Sequence, residues 1–137
     1  MQSLPKILVI DDDETDRVAL RRCLGAAGIG AIIDELDDGD EVVARIATNR
    51  YDCIVLDHRL PGETAFDVIA RIRSAAIPTP ILCVSGHEDD LGTALVAAGA
   101  TAFLPKRQRS PPVLALHLRD ALQRALPPDP ASDDHDE

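Results

Sequence analysis

The chain has 137 residues, which is enough for one domain with a core of its own. Hydrophobic residues make up 45% of it and aromatic residues only 2%, so the core must consist of aliphatic side chains, as in an α/β domain. The formal net charge of −10 opposes direct contact with nucleic acids or anionic membranes. No segment is long and apolar enough to span a bilayer, and the amino terminus lacks a signal-peptide core, so we expect a cytoplasmic protein.

Apolar runs of strand length alternate with helical patterns along the chain. The runs occupy residues 7–10, 31–36, 53–56, 81–84 and 101–104. The intervening helices are predicted from the apolar spacing of Leu20, Cys23, Leu24 and Ala27, from residues 39–48, from Ala65, Ile69, Ile72 and Ala76, from residues 88–98, and from Leu114, Leu118, Ala121, Leu122 and Ala125. Gly28 and Pro78 are expected to end the first and third helices, and Ser110 and Pro111 to begin the fifth.

The strands that begin at residues 7, 53 and 81 are nearly continuous apolar runs, which is typical of parallel strands covered by helices on both faces. Five strands joined by right-handed helical crossovers favour a flavodoxin-like fold with strand order 2-1-3-4-5. We predict one domain over residues 1–126. Residues 127–137 are rich in Pro and Asp, and we expect them to form a disordered acidic tail.

Polar residues follow the predicted strands. They are Asp11, Asp12, Asp13, Asp57, Ser85 and Lys106. Because the carboxyl ends of neighbouring parallel strands lie about 5 Å apart, we expect these side chains to converge. Clustered carboxylates stay ionised only if a cation offsets them, and a hard ion such as Mg²⁺ prefers oxygen ligands. Asp57 would be the central carboxylate and the best placed nucleophile toward phosphorus, with Lys106 supplying a fixed positive charge.

Four segments together resemble the receiver domains of two-component response regulators. They are Ile-Leu-Val-Ile-Asp-Asp-Asp, Ile-Val-Leu-Asp-His-Arg-Leu-Pro-Gly, Val-Ser-Gly and Ala-Phe-Leu-Pro-Lys, in that order, within residues 6–126. The resemblance implies that Asp57 accepts a phosphoryl group from the phosphohistidine of a sensor histidine kinase or a histidine phosphotransfer protein. It also implies direct binding of Mg²⁺ or Mn²⁺ by Asp12 and Asp57, help from Asp11 through water, and a ligand from the backbone carbonyl of Arg59.

The same resemblance implies that phosphorylation changes the surface of the domain through a switch made of three residues. Ser85 matches the switch hydroxyl, Phe103 the aromatic ring that changes rotamer, and Lys106 the lysine that pairs with the phosphate. The face formed by the fourth helix, fifth strand and fifth helix would then bind an output partner or form a homodimer. The chain would be a signalling domain that gains and loses its own phosphoryl group, not a turnover enzyme. Arg17 and Arg21 on the first helix either help to dock the phosphodonor or form a solvated basic face.

The chain departs from the family pattern after Lys106. Receivers usually place a proline there, whereas this chain has Arg107, with Pro105 before the lysine. A cis bond before Arg107 would be costly, so we expect a trans bond and an altered loop. Arg59 and His87 either shield the phosphoryl group from water or are merely exposed. His58 and His87 are expected to be surface histidines, not metal ligands.

Two other functions remain open at this stage. Asp11, Asp13 and Thr15 also fit the opening of a haloacid-dehalogenase-type phosphohydrolase whose nucleophile would be Asp11, but that leaves Asp57 without a role. A pseudo-receiver that binds partners without phosphorylation is the other alternative. The cysteines are expected to be buried as small hydrophobic residues, with a redox pair of Cys53 and Cys83 on adjacent strands as a minor alternative.

Overall fold

The computed structural model describes residues 4–85, 91–105 and 111–125. Seven strands and five helices follow one another in these ranges. They are β1 (Lys6–Ile10), α1 (Glu14–Ala26), β2 (Ile32–Leu36), α2 (Val42–Thr48), β3 (Cys53–Asp57), β4 (Arg59–Leu60), β5 (Glu63–Thr64), α3 (Ala65–Ser74), β6 (Ile81–Ser85), α4 (Leu91–Ala98), β7 (Ala102–Pro105) and α5 (Pro111–Ala125). No helix in the described part of the chain is long and apolar enough to cross a membrane.

Five strands form one parallel sheet in the order β2-β1-β3-β6-β7. This is the predicted order 2-1-3-4-5 once the short β4 and β5 are set aside, so the predicted fold is confirmed. Ile10 at the end of β1 is in register with Leu36 on β2 and Leu56 on β3. The carboxyl ends of the strands therefore meet at one edge of the sheet.

Aliphatic side chains alternate between the two faces of the sheet and form two core clusters. One contains Ile54, Leu56 and Cys83 and packs against α2, α3 and α4. The other contains Cys53 and Val55 and packs against α1 and α5. Cys53 and Cys83 are thus buried on opposite faces. The minor alternative of a redox pair between them is therefore wrong, and the expected role as buried hydrophobic residues is confirmed for both.

The end of α1 agrees with the sequence prediction, whereas the end of α3 does not. After α1, Gly28 has a φ of 74° and the Ile29 amide donates to the Leu24 carbonyl, which confirms the predicted left-handed cap. The third helix ends at Ser74, earlier than expected, and Ala76 lies outside it with a φ of 62°. The prediction that Ala76 belongs to the inner face of this helix is wrong. The expected start of α5 at Ser110 lies outside the described residues.

A two-stranded antiparallel ribbon, β4 with β5, was not predicted. It turns at Pro61 and Gly62, and the φ of 73° at Gly62 is one that glycine adopts without strain. Leu60 is buried, which fastens the ribbon to the core. The ribbon places the residues after Asp57 in a defined position at the edge of the sheet.

Candidate functional site

Three aspartates meet where β1 and β3 end. Asp11 follows β1 and Asp57 ends β3, the neighbouring strand. One carboxylate oxygen of each of Asp11, Asp12 and Asp57 lies within 4.8 Å of the others. Asp11 and Asp57 are only 7% and 8% exposed, whereas Asp12 is exposed. The parallel pairing of the two strands thus builds a half-buried set of oxygen ligands, which we call the acidic trio.

Asp13 has a different role from its neighbours. Its carboxylate accepts a hydrogen bond from the Thr15 amide at 2.8 Å, so it is the N-cap of α1. Its own amide donates to Asp11 Oδ1 at 2.9 Å. The Asp11 carbonyl in turn accepts a hydrogen bond from Arg17. The start of α1 therefore fixes the orientation of Asp11, whereas Asp13 caps the helix.

Asp57 and Ser85 approach the same edge from the two faces of the sheet. Asp57 is in register with Val84, and the His58 amide donates to the Val84 carbonyl at 2.9 Å, so the β3–β6 pairing extends past Asp57. Ser85, 1% exposed, ends β6. By strand alternation Asp57 lies on the α1 side and Ser85 on the α3 and α4 side. The structure therefore places Ser85 at the same edge of the sheet as Asp57, whereas Lys106, Arg107 and His87 lie outside the described residues.

Phe103 lies on β7 in register with Cys83, two residues before Ser85. Its side chain is partly buried against the core cluster that α3 and α4 cover. Phe103 and Ser85 thus share one face of the sheet.

The ribbon orients the backbone of Arg59. Because the Ala65 amide donates to the His58 carbonyl at 2.7 Å, Arg59 and Thr64 form a non-hydrogen-bonded pair, and the N–H and C=O of Arg59 point away from the partner strand. The Arg59 side chain is exposed. Its carbonyl can therefore serve a ligand outside the ribbon.

Sequence reasoning missed the contacts that hold this ribbon. The Glu63 carboxylate accepts a hydrogen bond from the Gly39 amide at 3.1 Å and pairs with Arg71 of α3. A Cβ at position 39 would lie 2.6 Å from Glu63 Oε2 and 2.7 Å from Val68 Cγ2, so a larger residue there would displace these side chains. The Pro61-Gly62 dipeptide would have predicted the turn. No local signal predicts the contact of Glu63 with Gly39, because that contact joins β5 to the loop before α2.

His58 differs from expectation, and the two arginines near the site form ion pairs. His58 is 8% exposed and its ring meets Phe66 edge to face at 5.8 Å, so the prediction of a surface histidine is wrong. Glu35 on β2 pairs with Arg17 Nε at 3.2 Å and with Arg21 at 3.1 Å. Both arginines therefore form ion pairs with Glu35 on the edge strand β2, and the two alternatives for this face, phosphodonor docking and a solvated basic face, stay predictions.

An open space of about 540 Å³ leads from solvent to the acidic trio. Its walls are Asp12, Asp13, Glu14, Asp16, Asp57, Arg59, Leu60 and Pro61. The entrance is thus acidic on the α1 side and is bounded on the other side by the ribbon. A group that enters here meets the Asp57 carboxylate at the bottom.

Comparison with known proteins agrees with this arrangement. The family model of the response regulator receiver domain matches residues 7–118. The chain is 35% identical over 105 residues to a two-component response regulator of rice, ORR41, which covers 74% of this chain and 82% of that protein. It is 34% identical over 129 residues to the response regulator MprA of Mycolicibacterium vanbaalenii, which covers 93% of this chain and 54% of that protein.

Solved structures show the same fold. The chemotaxis protein CheY4 of Vibrio cholerae superimposes with a TM-score of 0.76 at 28% identity, over 88% of this chain and 100% of the other. The chain belongs to the receiver-domain family of two-component response regulators, and it spans about half the length of the MprA relatives that it matches. Nothing in these comparisons supports the phosphohydrolase or the pseudo-receiver.

Proposed function

We propose that Asp57 accepts a phosphoryl group from a phosphohistidine of a sensor histidine kinase or a histidine phosphotransfer protein. The observation that carries the proposal is the acidic trio, in which Asp57 lies at the bottom of an open entrance beside two further carboxylates. A carboxylate oxygen of Asp57 would form the new bond to phosphorus. The electron pair of the broken P–N bond would return to the imidazole of the donor.

The trio suits a hard divalent cation, because its donors are all carboxylate oxygens close enough to share one ion. Asp12 and Asp57 would hold Mg²⁺ or Mn²⁺ directly, Asp11 through water, and the outward carbonyl of Arg59 would complete the protein ligands. The cation, when bound, would neutralise charge on the transferring group. Asp11 is buried and oriented by the start of α1, so this chain supplies a preorganised site.

Ser85 and Lys106 would hold the phosphoryl oxygens after transfer. Ser85 ends β6 at the same edge of the sheet as Asp57, and movement of its hydroxyl toward the phosphoryl group would free space on the face that it shares with Phe103. Lys106 would pair with the phosphate, as the family pattern suggests. The domain would thus convert a charge at Asp57 into a change at β7, without turning over a substrate as an enzyme does.

The altered face would be that of α4, β7 and α5. Val96 on α4 and Leu116 on α5 are 48% and 71% exposed, so each of these two helices presents a large hydrophobic side chain to solvent. We place a homodimer or an output partner on this face, with no direct role for nucleic acid or membrane. The cytoplasmic location expected from the sequence is part of the same proposal.

The test is the intact mass of the protein after incubation with a small phosphodonor and Mg²⁺. We expect one phosphoryl adduct in the parent protein and none in Asp57→Asn. Asp13→Asn is the matched control, because Asn can still cap α1 and Asp13 is outside the trio. Steady release of phosphate that depends on Asp11 would instead indicate a phosphohydrolase, and the absence of any adduct would indicate a pseudo-receiver.

A further inference from the structure

Gly92, in the first turn of α4, lies directly against the ring of Phe103. A Cβ built at position 92 would stand 2.9 Å from Phe103 Cδ2, 3.3 Å from Cγ and 3.5 Å from Cβ. Apolar carbons pack at about 3.5–4.0 Å, so the first two distances are too short for a stable contact. Any side chain at position 92 would force the ring or the helix to move.

The backbone does not explain a glycine at this position. In the described residues the glycines with positive φ are Gly28, Gly62 and Gly99, and Gly92 is not among them. It lies inside a helix, where glycine is less favourable than alanine because it loses more conformational freedom on folding. The close approach of the ring is therefore the structural reason for the glycine.

The ring lies against α4, on the strand β7 that pairs with the strand ending at Ser85. Phe103 is in register with Cys83, and Ser85 follows two residues later on the same face. Leu95, one turn beyond Gly92, is fully buried in the core cluster against which the ring packs, so α4 has little freedom to retreat from the ring. The absence of a side chain at Gly92 therefore leaves room beside the ring that a Cβ would occupy.

We propose that Gly92 is a positioning residue that gives the Phe103 ring the clearance to sit and turn beneath α4, and so couples α4 to the phosphorylation of Asp57. This inference rests on the proposed function, because it assigns a mechanical role within the same switch. Gly92 itself touches neither the phosphoryl group nor the acidic trio. Its effect passes entirely through the Phe103 ring.

The experiment compares Gly92→Ala with Gly25→Ala. Gly25 also lies inside a helix, α1, but a Cβ there would have no atom within 4 Å, so the variant gains the helix preference of alanine without a clash. Both changes are made in the parent and in Phe103→Ala, where the remaining contact to position 92 would be the ordinary one of 3.5 Å. The first measurement is the thermal midpoint of unfolding.

The second measurement is amide hydrogen exchange over 91–98 and 102–105, with and without a small phosphodonor and Mg²⁺, scaled by the phosphorylated fraction from intact mass. We expect Gly25→Ala to raise the midpoint in both backgrounds and to leave the exchange response unchanged. Gly92→Ala should lower the midpoint in the parent, raise it in Phe103→Ala, and reduce the phosphorylation-dependent change in exchange at least threefold. Such a reversal of sign is not expected of a helix substitution that acts independently of the ring.

The inference is overturned if Gly92→Ala behaves like Gly25→Ala in both backgrounds, or if its exchange response to phosphorylation equals that of the parent. Failure of the proposed function gives a different result. In that case the parent protein takes no phosphoryl adduct, and the proposed role of Gly92 in the switch is then also wrong. The thermal midpoints still report the contact between Gly92 and Phe103.

Discussion

Ala76 occupies the same position at the end of α3 that Gly28 occupies at the end of α1. Both have a left-handed backbone, with φ values of 62° and 74°. In each case the next amide reaches back to the helix, from Ile29 to the Leu24 carbonyl at 3.0 Å and from Ile77 to the Ile72 carbonyl at 3.3 Å. The two helices therefore end in the same motif, but α3 ends with a residue whose Cβ makes this conformation costly.

Exchanging the two residue types should change stability in opposite directions. Ala76→Gly relieves the left-handed strain and should raise the free energy of unfolding by about 1 kcal/mol, whereas Gly28→Ala should lower it by about as much. A Cβ at position 28 has no atom within 4 Å, so its cost is purely conformational. Urea denaturation of both variants measures the effect. Changes of the same sign would contradict the assignment of a shared motif.

The sequence predicts the strands, the sheet order and the acidic trio because these depend on patterns that are local. Strands buried on both faces require continuous apolar runs, and topology then brings Asp11 and Asp57 together. The end of α3 is different, because Ala76 fits the apolar spacing and alanine favours helices. The helix ends at Ser74 because the chain turns toward β6 at Ala76, and the sequence pattern does not show this turn. The burial of His58 likewise depends on tertiary packing, because its ring meets that of Phe66 on α3. The contact between Glu63 and Gly39 also joins distant parts of the chain.

Arg73 of α3 links three segments by donating to backbone carbonyls. Nε and one terminal nitrogen donate to Gly99 at 3.0 and 2.9 Å, and the other terminal nitrogen donates to Ile77 at 2.7 Å and to Thr79 at 2.9 Å. Partial burial lowers the pKa of Arg73. Arg73→Met should cost about 2–3 kcal/mol because it leaves partly buried carbonyls without donors. Arg73→Lys should recover little, since an ammonium cannot reproduce the planar fork.

The control for Arg73 is the exposed Arg22 of α1. Arg22→Met should change the free energy of unfolding by less than about 0.5 kcal/mol. Urea denaturation again provides the measurement. If the two methionine variants lost similar stability, the hydrogen bonds of Arg73 would have no net value.

Asp12 is the exposed member of the acidic trio, so its removal tests the cation site with little effect on the core. Asp12→Asn should raise the Mg²⁺ concentration for half-maximal phosphorylation at least tenfold, which corresponds to about 1.4 kcal/mol. Glu14→Gln is the control, because Glu14 lines the same entrance but lies outside the trio. A Mg²⁺ titration of the phosphorylated fraction distinguishes the two. Equal shifts in both variants would mean that only general acidity of the entrance matters.

The buried thiols predict how stability depends on pH. Burial raises the pKa of Cys53 and of Cys83 from 9.0 to about 12, with Asp52 adding to the first shift, while Arg73 opposes and Asp57 adds to the second. The folded state therefore keeps both thiols protonated where the unfolded chain ionises them. Their contribution to stability is complete below pH 9 and is lost as the pH rises from 9 toward 12, with about 1.4 kcal/mol per thiol lost by pH 10.

The measurement is the free energy of unfolding between pH 8 and 10.5 for the parent and for a variant with Cys53→Ala and Cys83→Ala. The variant is expected to start lower because it loses packing, but its stability should fall less steeply above pH 9. Burial also raises the pKa of Tyr51, so its ionisation lowers the free energy of unfolding at high pH. This effect is the same in both proteins and therefore cancels when they are compared. Parallel curves for the two proteins would show that the thiols ionise equally well in the folded and unfolded states, contrary to their position in the core.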